Sequence, residues 1–166
     1  MKRSPISLQG ERSRRLAEWH AWSRSQTQKR AYQGGEPHCE AGVYGYPCKT
    51  PDVRTEWAHL FGRGNIIGEP WCSLPEMTMQ LCPTCHQTID RARDLTLRGV
   101  LRWACLLRLA HRHPVVDSTV REFVALTPFA DSLGYQQGAI DCARACTRLL
   151  VVQLDREALP ELAPNW

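Results

Sequence analysis

The sequence predicts a small α+β protein, in which a turn-rich, short-stranded middle stapled by cysteines lies between a basic N-terminal helix and a C-terminal helical extension. Three observations predict it. Gly and Pro crowd residues 38–75, at Gly42, Gly45, Pro47, Pro51, Gly62, Gly64, Gly68, Pro70 and Pro75, which favours turns and short strands over long elements. Cysteines bracket that stretch in two pairs, Cys39 with Cys48 and Cys82 with Cys85. On either side the chain is free of helix breakers or repeats its apolar residues at helical spacing. At 166 residues it suits one domain, or one small domain with a helical annex. The expected divisions are 1–37, 38–90 and 91–166.

With 43% hydrophobic and 23% charged residues the chain has enough apolar surface to bury a core, which excludes a disordered polypeptide. The longest apolar run is Trp103 to Leu107, far short of a membrane span. The opening MKRSPISLQG is basic and polar and is not a secretory signal. A cytoplasmic protein with no membrane association is therefore expected. Eight cysteines are many for such a chain. The spacing Cys82-Pro-Thr-Cys85 lets one tight turn aim two thiolates at a single tetrahedral ion, so metal is expected rather than disulfides.

From Ser13 to Ala31 there is no Gly or Pro and the segment is rich in Arg, Gln, Ala and Trp, which permits a helix. Tyr32 to Pro37, with Gly34 and Gly35, breaks it. Charge is uneven along the chain. Residues 1–30 carry eight Lys/Arg against two Glu (+6), residues 31–90 three against seven acids (−4), and residues 91–166 ten against eight (+2). A basic arm interleaved with Trp19, His20 and Trp22 reads as a phosphate-binding element giving sequence-independent affinity, or as a solvated terminus. On the first reading, deleting residues 1–30 weakens nucleic-acid binding and flattens its salt dependence.

In the middle segment Cys39 and Cys48 are separated by eight residues that include Gly42, Gly45 and Pro47. Together with Cys82 and Cys85 they predict a structural four-cysteine zinc site, with His38 and Cys72 as alternatives for one ligand. After Cys85 the pattern turns helical. Leu95, Leu97, Val100, Leu101, Trp103, Ala104, Leu107 and Ala110 recur near a 3.6 period between Asp90 and His111, with Arg91, Arg98 and Arg102 on another face. Pro114 ends that helix, Ser118 is placed to cap a short one through Leu126, and a last helix is expected from Ala139 to Leu154, after Gly134 and Gly138. Cys105, Cys142 and Cys146 fall in these helices and are expected to be buried as small apolar residues.

Between the cysteine pairs runs Glu56-Trp57-Ala58-His59-Leu60-Phe61-Gly62-Arg63-Gly64-Asn65, and Cys85 is followed by His86 and, four residues on, Asp90. Over about residues 38–90 this resembles the HNH nuclease family, in particular its compact zinc-containing members common in bacteriophage genomes. The resemblance implies a ββα-metal core, and a metal-dependent endonuclease acting on phosphodiester bonds, in DNA more than RNA, beside a phage packaging machinery. His59 then matches the general base and His86 the helix-borne metal ligand. Phosphodiester hydrolysis needs a base that deprotonates water near neutral pH, which an imidazole supplies, and a hard cation such as Mg²⁺ or Mn²⁺ to neutralise the developing charge. His86 and Asp90 stand four apart on one helix face, where both can approach one ion, or Asp90 can hydrogen-bond a His ligand. Arg63, in the loop after His59, is placed to meet a phosphate.

The chain departs from the family pattern at two positions. Ala58 stands where the family carries its main metal ligand, and Glu56, two residues earlier on the same strand face, has the longer side chain that can substitute. Met77 stands where the family has Asn, and Asn65 is the other Asn nearby. A second function therefore stays open, in which the same zinc fold has lost catalysis and docks nucleic acid or a phage or host protein. A third is a zinc-stabilised regulator that recognises partners through its C-terminal helices.

Overall fold

The computed structural model describes residues 5–32, 38–48, 54–62, 71–91, 94–126 and 133–157. Along the chain run α1 (Pro5–Ala31), a single turn α2 (Glu40–Val43), β1 (Glu56–His59), β2 (Thr78–Leu81), α3 (Pro83–Asp90), α4 (Leu95–Arg112), α5 (Asp117–Leu126) and α6 (Leu133–Glu157). Short 3-10 turns lie at Trp71–Ser73, Pro75–Met77 and Pro114–Val116. This is a small α+β fold with an N-terminal helix, one hairpin beside a helix, and C-terminal helices. Among the described residues no helix is long and apolar enough to cross a membrane.

The two strands pair antiparallel, Glu56 opposite Leu81, Trp57 opposite Gln80, Ala58 opposite Met79 and His59 opposite Thr78. Side chains alternate across a strand, so Glu56 and Ala58 share one face and Trp57 and His59 the other. Ala58, Met79 and Leu81 are fully buried against one core, which extends from Cys39 through α4 and α5 to Leu150 in α6. The helical extension thus supplies the apolar partners that the turn-rich middle lacks. Burying a Leu or Phe contributes about 1.5–3 kcal/mol, and Leu97, Leu101, Leu106 and Leu109 of α4 are fully buried.

Several boundaries differ from the sequence expectation. The helical period read between Asp90 and His111 is a helix only from Leu95, after α3 has ended at Asp90, because Asp94 caps α4: its carboxylate accepts from the Leu97 N–H at 2.8 Å and from the Tyr46 hydroxyl at 3.0 Å. Leu107, assigned to the apolar stripe, is 38% exposed, while Arg108 turns inward. The helix after the 3-10 turn begins at Asp117, so Ser118 lies inside it. The last helix begins at Leu133, so Gly134 and Gly138 lie inside α6. A mid-helix Gly costs about 1 kcal/mol. Tertiary contacts offset that cost: Tyr135 is buried with its ring 5.6 Å from that of Phe123, and the Gln136 side chain reaches Leu95 and Arg102.

The N-terminal helix is not an appendage along its whole length. Ser23, Thr27 and Ala31, four apart and so on one stripe, are buried. The Ser23 hydroxyl bonds the Ser73 carbonyl, and the Thr27 hydroxyl lies 2.8 Å from that of Thr78. Deleting residues 1–30 would therefore remove part of the fold along with the charge.

Candidate metal centre and the cleft beside His59

Two chain segments deliver four thiols to one point. Cys39 precedes the turn Glu40–Val43, and Gly45, at a φ of 80° that favours glycine, reverses the chain so that Tyr46 N–H bonds the Ala41 carbonyl at 3.1 Å and Cys48 comes back beside Cys39. That turn is how an eight-residue gap closes a site usually made by a tighter loop. Cys82 is the N-cap of α3, where its sulfur accepts from the Cys85 N–H at 3.4 Å, and Pro83 opens the helix. The four sulfurs lie within 4.8 Å of one another, with Cys48 to Cys82 at 3.6 Å and Cys48 to Cys85 at 3.7 Å. Zn–S bonds of about 2.3 Å at tetrahedral angles separate sulfurs by about 3.8 Å. The cluster therefore fits a zinc ion, and soft thiolates select that class of metal over Mg²⁺. Burial pushes the Cys39 thiol up to about 11, against the N–H groups of Cys82 and Ala41, and pushes Cys85 up as well. A cation that takes thiolates must displace those protons. Cys72 is buried elsewhere, 3.8 Å from the Ser73 hydroxyl, and neither it nor His38 belongs to the cluster. Cys105, Cys142 and Cys146 are buried in the helices.

α3 follows β2 directly and packs against both strands, and this brings Glu56 of β1 to His86 of α3. The Glu56 carboxylate lies 2.8 Å from Nδ1 of His86, and the Asp90 carboxylate 3.5 Å from Nε2. The three expected ligands are thus contiguous. They meet opposite edges of the imidazole ring, and among the described residues the cysteines are the group whose atoms converge as metal ligands do. Ala58 is fully buried opposite Met79, and Met77 is fully buried in the core; neither position presents a polar atom. Arg63 and Asn65 lie outside the described residues.

His59 ends β1 with Nε2 at 3.1 Å from the Ser73 hydroxyl and its ring 4.4 Å from that of Trp57. Trp57 is in turn met edge-on by His20 at 5.7 Å and covered by the Arg24 guanidinium at 5.3 Å, both from α1. His59 also lines a cleft of about 160 Å³ with Leu60, Gly62, Ile89, Asp90, Arg98 and Arg102. Arg91, Arg98 and Arg102, expected on one face, divide by depth: Arg91 is exposed, Arg98 half-buried and Arg102 buried. Burial, with Arg98 alongside, pulls Arg102 down to about 10, still cationic at neutral pH.

Sequence reasoning missed a second buried centre. Glu40 is 4% exposed. Its carboxylate accepts from Arg30 at 2.9 and 3.1 Å, from Arg108 at 3.1 Å and from the Gln80 N–H at 2.7 Å. Arg30 also donates to the carbonyls of Pro75 at 2.6 Å and Thr78 at 2.7 Å. One carboxylate thus ties α1, α2, β2 and α4. No local pattern marks Glu40, and its position next to Cys39 was the available hint.

No family model, curated protein or solved structure matches this chain. The class is therefore defined by geometry: a small, helix-rich domain with a two-stranded sheet and a four-cysteine cluster able to hold a metal, consistent with a ββα-metal-like scaffold.

Proposed function

We propose that the protein is a zinc-stapled module that binds nucleic acid, DNA in the first instance, along α1 and the adjoining end of the hairpin. The observation that carries this is how α1 docks. Its inward stripe uses Ser23, Thr27 and Ala31, and Arg30 is half-buried against Glu40, while Arg15, Arg24, Lys29 and Arg14, the last 3.9 Å from Glu18, face solvent. A docked, pre-formed cationic helix beside an aromatic side chain, Trp57, matches a backbone-tracking surface. Replacing Arg14, Arg15 and Lys29 together by Gln should weaken binding to a duplex and lower the slope of log affinity against log salt by up to about 0.9 per lost phosphate contact. Titration by fluorescence anisotropy at several salt concentrations measures this. An unchanged slope would show that α1 does not touch phosphate.

A second reading, hydrolysis at the same place, is favoured by the cleft that His59 shares with Asp90, Arg98 and Arg102. Here His59 would act as the general base, and His86, Asp90 and Glu56, were their side chains to turn toward one point, would be the residues to hold a second, exchangeable Mg²⁺ or Mn²⁺ that neutralises charge on the phosphate. Without a ligand at Ala58 that ion binds weakly, so activity needs high metal and favours Mn²⁺, which tolerates nitrogen ligands better than Mg²⁺. In a plasmid-nicking assay His59→Ala should lower the rate by a factor on the order of 10²–10⁴ with zinc content unchanged. If wild type and His59→Ala are equally inert with every divalent metal, binding is the whole function.

A further inference from the structure

We infer that the cleft beside His59 seats a backbone phosphate of the bound nucleic acid, and that Arg102, with Arg98, holds it. The inference rests on the nucleic-acid reading above and gives the helical extension a part in it. Arg102 is 5% exposed, a placement that is costly for a cation unless something compensates it. Its compensation within the fold is incomplete. Nε donates to the Leu60 carbonyl at 2.9 Å, and one terminal nitrogen donates to the side-chain and backbone oxygens of Gln136 at 2.9 and 3.4 Å. Both acceptors are neutral. They fix the orientation of the guanidinium without cancelling its charge, and no carboxylate pairs with it among the described residues. The second terminal nitrogen makes no hydrogen bond among those residues.

The surroundings hold that arrangement rigidly. The guanidinium lies over the Phe61 ring at 5.4 Å, and Gln136 is itself anchored by donating to the Leu95 carbonyl at 2.8 Å. Gly99 allows the approach of α6, since a Cβ there would stand 3.1 Å from the Gln136 amide nitrogen and 3.3 Å from the Tyr135 ring. Arg98, one turn earlier, brings a second positive charge close enough to disfavour that of Arg102. Two neighbouring guanidiniums, one buried and oriented, form the donor pattern that a phosphate's oxygens accept in paired fashion. Among the described residues the one carboxylate lining the cleft is Asp90, whose oxygen lies 3.5 Å from His86. The α4 side of the cleft, with Arg98 and Arg102, is therefore the side that takes an anion.

The test uses the full chain, with Arg98→Gln, which breaks no hydrogen bond among the described residues, and Arg102→Lys, which keeps the charge and loses the fork. Duplex affinity is read by anisotropy across salt concentrations, and thermal shift with inorganic phosphate reads the cleft by itself. Arg98→Gln is expected to weaken duplex binding about tenfold and reduce the salt slope by about one, and phosphate should raise the melting temperature of wild type more than that of either variant. Wild-type binding with unchanged affinity and slope in both variants overturns the inference and leaves the nucleic-acid reading standing. If wild type binds no duplex, that reading falls; a phosphate shift lost in Arg98→Gln would then identify the cleft as a site for free phosphate.

Discussion

Chelating the metal is expected to abolish the cooperative thermal transition of this protein. Structural zinc in a four-ligand site is worth about 10–16 kcal/mol of apparent binding free energy, while a domain's whole stability is about 5–15 kcal/mol. Here the ion would join Cys39 and Cys48, on one segment, to Cys82 and Cys85 at the start of α3. Without it the two segments keep thiol contacts and core packing to hold that corner of the fold. Loss should appear first in the turn 39–48, the hairpin and α3, and hydrogen exchange would show those amides deprotected before the ones in α4. Cys85→Ser should have a comparable effect, because a hydroxyl is a poor substitute for a thiolate on zinc. Elemental analysis should find one zinc per chain in the protein as isolated. Its absence, or a melting curve unchanged after chelation, would contradict the assignment.

Glu40→Ala should destabilise the protein by about 3–5 kcal/mol, the usual result of removing one member of a buried, hydrogen-bonded charge group. Its carboxylate is 5% exposed, and it faces Arg30 at 25% and Arg108 at 18%. Removal leaves two guanidiniums with no counter-charge and the Gln80 N–H without its acceptor. For a chain of this size that corresponds to a fall of roughly 6–20 °C in melting temperature. Glu40→Gln keeps an acceptor for Gln80 but not the charge, and should fall between. Adding Arg108→Met to Glu40→Ala should recover part of the loss, since the second change removes an orphaned cation. Urea unfolding of wild type, Glu40→Ala, Arg108→Met and the double variant measures the cycle, and a loss below about 1 kcal/mol for Glu40→Ala would show that the Glu40–Arg30–Arg108 group is incidental.

The readings that came directly from the sequence were those whose information is local. A Cys-x-x-Cys pair fixes two thiolates on one turn whatever surrounds it, and the break-free run Ser13–Ala31 lies within the observed Pro5–Ala31 helix. The apolar spacing of α4 marked Leu97, Leu101, Ala104 and Ala110 as buried because a helix repeats every 3.6 residues, but it took in the exposed Leu107 and passed over the buried Leu106 and Leu109. Short-range signals also placed His59 on a strand and His86 in a helix after a zinc half-site.

What the linear sequence left open was decided by long-range contacts. Asp94, held by Tyr46, sets the start of α4 at Leu95 within the span where the apolar period runs on. Gly134 and Gly138 were absorbed into α6 because Tyr135 and Gln136 are fixed by α4 and α5. The pairing of Glu56 with His86 depends on strand register and on the way α3 leaves β2. Arg102 and Glu40 gave no sign of burial, since a charged residue is placed inside only by partners far along the chain, here Leu60 and Gln136 for one, Arg30, Arg108 and Gln80 for the other. Local propensity and spacing specify which elements form and which thiols can share an ion. The burial of charge is set by the assembled tertiary structure, because only there do its compensating donors and acceptors come within hydrogen-bonding distance.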